Sequence, residues 1–168
     1  NEAFPNGDDT LVRPCAHRDH ITRELLSTLS GLPAEDTPPI WTLIGAGSLG
    51  SKIALHLGRA GRGPSTFIDS AMMVPHNAAR HAIAPADADK QIMLMDMKAR
   101  LLKEALAGLS QNVTAITDDI VDVLHSRALS KQAYHKDTWA IVNTTASLRA
   151  RAALCTQAFR HRVIEALL

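Results

Sequence analysis

Gly45, Gly47 and Gly50 stand in the run IGAGSLG, a G-x-G-x-x-G spacing, and Asp69 follows at roughly the twenty-residue distance of a nucleotide-binding βαβ unit. Each residue type suits a particular task. Gly45 permits a tight exit from a strand. Gly47 lets backbone approach a ligand with no side chain between them, and Gly50 lets a helix pack closely on a sheet. The helix opening at Ser48 offers unpaired N–H groups and the positive end of a dipole, which together suit phosphate. Asp69 would accept hydrogen bonds from ribose hydroxyls. The same residues also allow a ligand-free reading, a tight strand–helix turn with a turn or capping aspartate.

Such a site needs strands and helices in alternation. Ile40–Ile44 is apolar enough for a central strand buried on both faces. Ser48–Ala60 carries Leu49, Ile53, Leu57 and Ala60 on one helical stripe, and Ser65–Asp69 reads as the second strand. Ser70–Gln91 is long for a connection, and loops of that length are usually functional or disordered. Ile92–Leu109 reads as helix, Asn112–Thr117 as strand, Ile120–Ala133 as helix and Thr138–Thr144 as strand. A final helix is expected from Leu148 to Leu168, capped by Ser147. The expected class is α/β, a Rossmann-like parallel sheet in the order 3-2-1-4, truncated after strand four. Ligands bind such sheets beyond the carboxyl ends of the strands. Gly45–Gly50, Asp69–Arg80, Thr117–Asp119 and Asn143–Ser147 would converge there. Ahead of this domain (40–168), residues 1–39 read as an arm, a helix over Ala16–Leu29 and a linker marked by Pro33, Pro38 and Pro39.

Composition narrows the classes. The chain has 168 residues, 46% of them hydrophobic and only 4% aromatic, so its core is built from Leu, Ile, Val, Met and Ala. A formal charge of +1 gives no global electrostatic reason for a nucleic-acid or anionic-membrane partner. No apolar run approaches the ~18–20 residues of a membrane helix. Cys15 and Cys155 match no metal or redox spacing, which suits reduced thiols in the cytoplasm. The chain does not begin with Met, and is expected to be a processed or excised piece.

The segment DSAMMVPHNAARH sets Asn77, Arg80 and His81 at fixed offsets after Asp69. An ordinary NAD- or FAD-binding oxidoreductase domain explains the glycines and Asp69 but leaves Asn77 and Arg80 without a task. The pattern resembles the ThiF/MoeB/HesA family, the ubiquitin-activating-enzyme-like adenylating proteins, where an Asn-x-x-Arg-Gln or Asn-x-x-Arg-His signature follows the second strand. The resemblance covers about Leu43 to Arg151. It also implies a lysine at the start of the next helix, for which Lys98 fits and Lys90 competes. It implies ATP with magnesium, and activation of the C-terminal carboxylate of a ubiquitin-like or sulfur-carrier protein. Arg80 and Lys98 would hold the phosphates as the catalytic cations, Asn77 would orient them, and Asp69 would hold the ribose. Gly45, Gly47, Ser48 and Gly50 complete the nucleotide site.

Three departures stand against full activity. Ala71 replaces the second acid of the family's Asp-x-Asp. Ala146 stands where the family has its magnesium-binding aspartate, and Asn143 where that strand often carries an acid, so no metal ligand is assigned. The chain also lacks the family's later strands, carrier-docking region and zinc ligands. A non-catalytic nucleotide-binding or dimerisation module is therefore the alternative, with a homodimer partner or further domains of a longer chain completing it. Smaller features have plainer readings. His17 and His20 suit a solvated helix face, while His76 and His81 bracket the Asn-Arg signature and are candidates to line its pocket. The methionines 72, 73, 93, 95 and 97 suit core packing, and Trp41 and Trp139 open the two central strands. Cys155 reads as a buried inert thiol.

Overall fold

The strand at Ile40–Ile44 (β1) is exposed only at its first residue, and four strands align parallel with it in a sheet that has a core layer on each face. The computed structural model describes residues 20–33, 37–83, 86–87, 92–93, 95–156 and 161–167. Thr66–Ile68 (β2) and Thr138–Asn143 (β6) flank β1, Thr114–Ile116 (β5) lies outside β2, and Arg162–Glu165 (β7) lies outside β6. Ala86–Asp87 (β3) and Ile92–Met93 (β4) form a separate antiparallel pair. The main sheet is thus β5-β2-β1-β6-β7, which is the expected 3-2-1-4 order with a fifth strand added.

Helices on both faces explain why the central strands read as unbroken apolar runs. Ser48–Arg59 (α2) and Lys98–Ala107 (α3) cover one face, packing Ala54, Ala99, Leu102 and Leu106 on Leu43 and Phe67. Ile120–His125 (α4), Arg127–Ala133 (α5) and Leu148–Thr156 (α6) cover the other, where Val123, Leu124, Ala133 and Leu154 meet Ile44, Ile68 and Ile141. Thr42 is buried in this layer and donates its hydroxyl to Ala133 O at 2.6 Å, so its polar atom is satisfied. Arg23–Leu29 (α1) docks on the end of α2: Arg23 Nε donates to Gly61 O at 2.9 Å and Ser27 Oγ to Ala60 O at 3.3 Å.

Several expectations need correction. The last helix does not run to Leu168. It stops at Thr156, and β7 follows, pairing Arg162–Glu165 with Ala140–Asn143. The sheet therefore does not end at strand four. The short run RVIE carries adjacent β-branched residues, and a free edge on β6 was available to pair with it. Ile120–Ala133 is two helices, because Ser126 leaves helical geometry and caps the second through Leu129 N–H at 3.3 Å. The helix expected from Ile92 starts at Lys98 instead. The first helix starts at Arg23, capped by Thr22, whereas Asn1–Arg13, Cys15, Ala16 and His17 lie outside the described residues. Trp41 is buried and donates to Arg62 O at 3.1 Å, but Trp139 is 51% exposed beneath the Arg162 guanidinium. Cys155 is exposed, not buried. Met73 is core, while Met72 and Met95 are exposed.

Candidate functional site

At the end of β1 the chain turns through Gly45 at φ +90° and enters α2 at Gly47, whose backbone begins the helix with no side-chain cap. The three glycines answer to different constraints. A Cβ on Gly50 would lie 1.9 Å from Gly45 O, and one on Gly45 would lie 2.8 Å from Thr145 Cγ2. Those two are demanded by the protein's own packing. A Cβ on Gly47 would meet nothing within 4 Å. The lack of a side chain there clears space rather than relieving a contact.

The bend between them is held by side chains from three other segments. The Ala46 N–H donates to Asp69 Oδ2 at 2.6 Å, and Gly45 O accepts from Thr144 Oγ1 at 2.7 Å. The Ala46 carbonyl accepts from His81 Nε2 at 2.7 Å. Asp69 Oδ1 accepts from Ala71 N–H at 2.7 Å, so both carboxylate oxygens are engaged within the protein. An ionised carboxylate has about four acceptor positions, which leaves room for further donors.

The segment after β2 returns over the start of α2. A 3-10 turn at Pro75–Ala79 delivers Asn77 and then Arg80 and His81. Asn77 Oδ1 accepts from Val74 N–H at 3.1 Å, which holds its own turn. Ser48 Oγ donates to Arg80 O at 3.2 Å, and Ser51 Oγ accepts from Ala82 N–H at 3.0 Å. Lys98 arrives from the other side as the first residue of α3. Its N–H donates to Ala71 O at 3.0 Å, and Met73 N–H donates to Asp96 O at 2.8 Å. Gly47, Ser48, Asn77, Arg80 and Lys98, with the two histidines 76 and 81, therefore line one cavity of about 320 Å³. Lys90 lies outside the described residues.

A second, smaller cavity of about 120 Å³ opens on the other side of the bend, where Gly45, Asp69, Asp118, Asp119 and Ser147 contribute to its wall. Cations line the first cavity and acids the second, with Arg149 the one base among the latter's walls. Asp69 lines the acidic cavity, not the one that Asn77, Arg80 and Lys98 share, and reaches the glycine turn through its bond from Ala46 N–H.

The position where the resemblance implies a magnesium ligand carries none. The side chain at 146 is alanine, exposed, and supplies no oxygen. Asn143 is fully buried and turned inward: Nδ2 donates to both Glu165 oxygens at 3.0 and 3.2 Å, and Oδ1 accepts from Thr145 N–H and Oγ1 at 3.1 and 2.8 Å. Asp119 Oδ1 accepts from Val121 N–H at 2.8 Å, capping α4.

His81 is the residue whose part in the site was least visible in the sequence. It is buried, and burial pushes its imidazole below the ordinary histidine pKa, opposed by its hydrogen bonds to Ala46 and Ile83. A neutral ring donating from Nε2 accepts Ile83 N–H at Nδ1, 3.1 Å away. Its place at the end of the Asn-x-x-Arg-His signature pointed to the pocket, but not to the Ala46 carbonyl.

No family model and no curated protein matches this chain. Its likeness is to solved structures at 22–23% identity, with which it shares an α/β fold. E. coli tRNA N6-threonylcarbamoyladenosine dehydratase, TcdA, in complex with AMP superimposes with a TM-score of 0.58 at 23% identity, over 76% of this chain and 49% of that one. The ATP complex of the same enzyme gives 0.57 at 22% identity, over 76% and 50%. A structure named TcdA (CsdL) gives 0.57 at 22%, over 76% and 48%. This chain spans about half the length of those structures, and the likeness establishes the fold. Among the described residues, no helix is long and apolar enough to cross a membrane.

Proposed function

We propose that this chain is a ThiF-like ATP-binding domain. The carrying observation is the convergence of Gly47, Ser48, Asn77, Arg80 and Lys98 on one cavity beside a glycine whose missing side chain clears space for a ligand. A triphosphate in that cavity would meet two cations, an amide and the positive end of α2. The nucleoside would lie across the bend, with Asp69 facing the ribose. The AMP and ATP complexes of TcdA support this ligand class. A dinucleotide ligand accounts less well for Arg80 and Lys98.

The reaction suited to this geometry is adenylation of a C-terminal carboxylate on a ubiquitin-like or sulfur-carrier protein. The carboxylate oxygen bonds to the α-phosphorus, and the bond from that phosphorus to the pyrophosphate oxygen breaks. Arg80 and Lys98 stabilise the charge that spreads over the phosphate oxygens, and Asn77 orients the chain with a neutral hydrogen bond. Since Ala146 offers no magnesium ligand, nucleotide binding is expected to outlast efficient catalysis. That favours the second reading, a binding or dimerisation module that keeps the nucleotide site. A second copy, or further domains of a longer chain, would supply the carrier-docking surface. A cytoplasmic setting, where ATP and reduced thiols are available, fits this use.

Thermal melting with ATP, with and without magnesium, against NAD tests the ligand class. ATP should raise the Tm once it exceeds its Kd, and NAD should not. The reverse order would overturn the proposal. Carrier-dependent ATP–pyrophosphate exchange tests the reaction. An Ala146→Asp variant should increase both magnesium-dependent stabilisation and exchange, and its indifference to magnesium would leave only the module reading.

A further inference from the structure

The peptide accounting around Ala46 leaves one donor over. A trans peptide is planar, with its C=O and N–H pointing opposite ways. The 45–46 unit is held at both ends, its N–H by Asp69 and its C=O by Thr144. The 46–47 unit is held only through the Ala46 carbonyl, by His81 at 2.7 Å. Its other end is the Gly47 N–H, which has no partner among the described residues and sits at the mouth of α2. Whatever fixes the Ala46 carbonyl therefore fixes the direction of that free donor.

We infer that His81 is the positioning residue of the glycine bend: its neutral imidazole donates from Nε2 to Ala46 O and so aims the Gly47 N–H at an anionic ligand. The ligand class, a nucleoside polyphosphate, rests on the reading in the preceding section. His81 is suited to this by its second nitrogen, which accepts Ile83 N–H at 3.1 Å and so sets both tautomer and ring angle. Ser48 and Ser51 fasten the same turn to the same helix, through Arg80 O and Ala82 N–H. The turn that supplies Arg80 and the bend that supplies Gly47 are thereby one rigid unit. Lys98, Asp69 and Arg80 are the charged groups around the ring, and His76 lines the same cavity, so ligand charge and ring protonation meet there.

The test compares His81→Gln, whose amide N–H can reach Ala46 O, with His81→Asn, which is too short to do so. ATP affinity is measured by calorimetry well below each Tm, and amide exchange is followed over Gly45–Ser51 and Arg80–Ile83. His81→Asn should weaken ATP about five- to tenfold and speed exchange in both segments together. His81→Gln should stay within about threefold of the parent, since one neutral donor replaces another. A nitrogen spectrum of the parent should show a neutral ring protonated at Nε2. Equal losses in both variants, or no loss in His81→Asn, would overturn the inference. If the parent binds no ATP, the nucleotide reading fails on its own. The positioning role is then judged by exchange, and Gly47 exchange unchanged in His81→Asn overturns it.

Discussion

At the scale of single residues, the glycine motif divides into two that packing demands and one, Gly47, with open space beside it. Gly50→Ala would drive a Cβ to 1.9 Å from Gly45 O, a backbone atom that cannot swing aside. It should cost about 2 kcal/mol or more, measured by urea unfolding. Gly47 has φ −77°, which any residue adopts, and nothing within 4 Å of the new methyl. Gly47→Ala should therefore change the Tm by no more than about 2 °C while weakening ATP about tenfold. A matching loss of stability in the two variants would mean the free space at Gly47 has no ligand to serve. Arg80→Ala and Lys98→Ala should each also weaken ATP about tenfold, since each removes a charge-assisted contact. Added salt should weaken the parent more than either variant. Because Arg80 is exposed and Lys98 half-buried, their melting curves should stay near the parent's. Spacing along the chain marks Gly45, Gly47, Gly50 and Asp69 as candidates, whereas Asn77 and Arg80 were singled out by the family resemblance. The bend-holding roles of Thr144 and His81 were not legible, because each acts on a backbone atom 99 or 35 positions away.

At the scale of elements, β1 and the edge strand β5 read as strands in the sequence, and the other edge strand, β7, does not. β1 falls at its expected bounds, since its apolar run is short, continuous and punctuated by Pro39 and Gly45. β7 was read as helix, because one strand of Arg-Val-Ile-Glu has too few residues to distinguish a period of two from one of 3.6. What holds it is specific. Asn143 is fully buried and gives its amide to the Glu165 carboxylate, while the Ala166 N–H donates to Asn143 O at 2.9 Å. Its Oδ1 meanwhile fixes Thr145, whose methyl packs where a Gly45 side chain would be. One buried amide thus ties the sheet edge to the glycine bend. Asn143→Ala should cost about 2–3 kcal/mol, by orphaning the Thr145 donors and loosening Glu165. Amide exchange over Arg162–Glu165 should quicken first. Glu165→Gln keeps an acceptor and should lose about 1 kcal/mol. If Asn143→Ala melts with the parent, the edge strand is held by its backbone ladder alone.

For the whole molecule, the glycine bend is the point where helices from one face, strands from the sheet and the turn after β2 are joined, and one buried titratable ring stands at that joint. Burial holds the folded pKa of His81 below its unfolded value of 6.5. Above that value the ring is neutral in both states and contributes no pH dependence. As pH falls below 6.5 the unfolded chain takes up a proton that the folded chain refuses, so stability declines until the folded pKa is passed. The test is a difference between two proteins, which cancels every group they share. His81→Gln keeps the donor to Ala46 O and removes the proton site. Urea midpoints of parent and variant, taken between about pH 8 and pH 5, should differ by a constant above neutrality, and the parent should lose ground as the solution becomes acidic. A gap that stays constant across the range would mean that the folded protein admits the His81 proton at no cost, although Nδ1 can then no longer accept the Ile83 N–H. The coupling of the bend to the Asn77–Arg80 turn would then survive acid. Nucleotide affinity gives the same contrast a functional reading: if acid frees the ring, the parent should lose ATP affinity over the interval in which it loses stability, and His81→Gln should keep more of it.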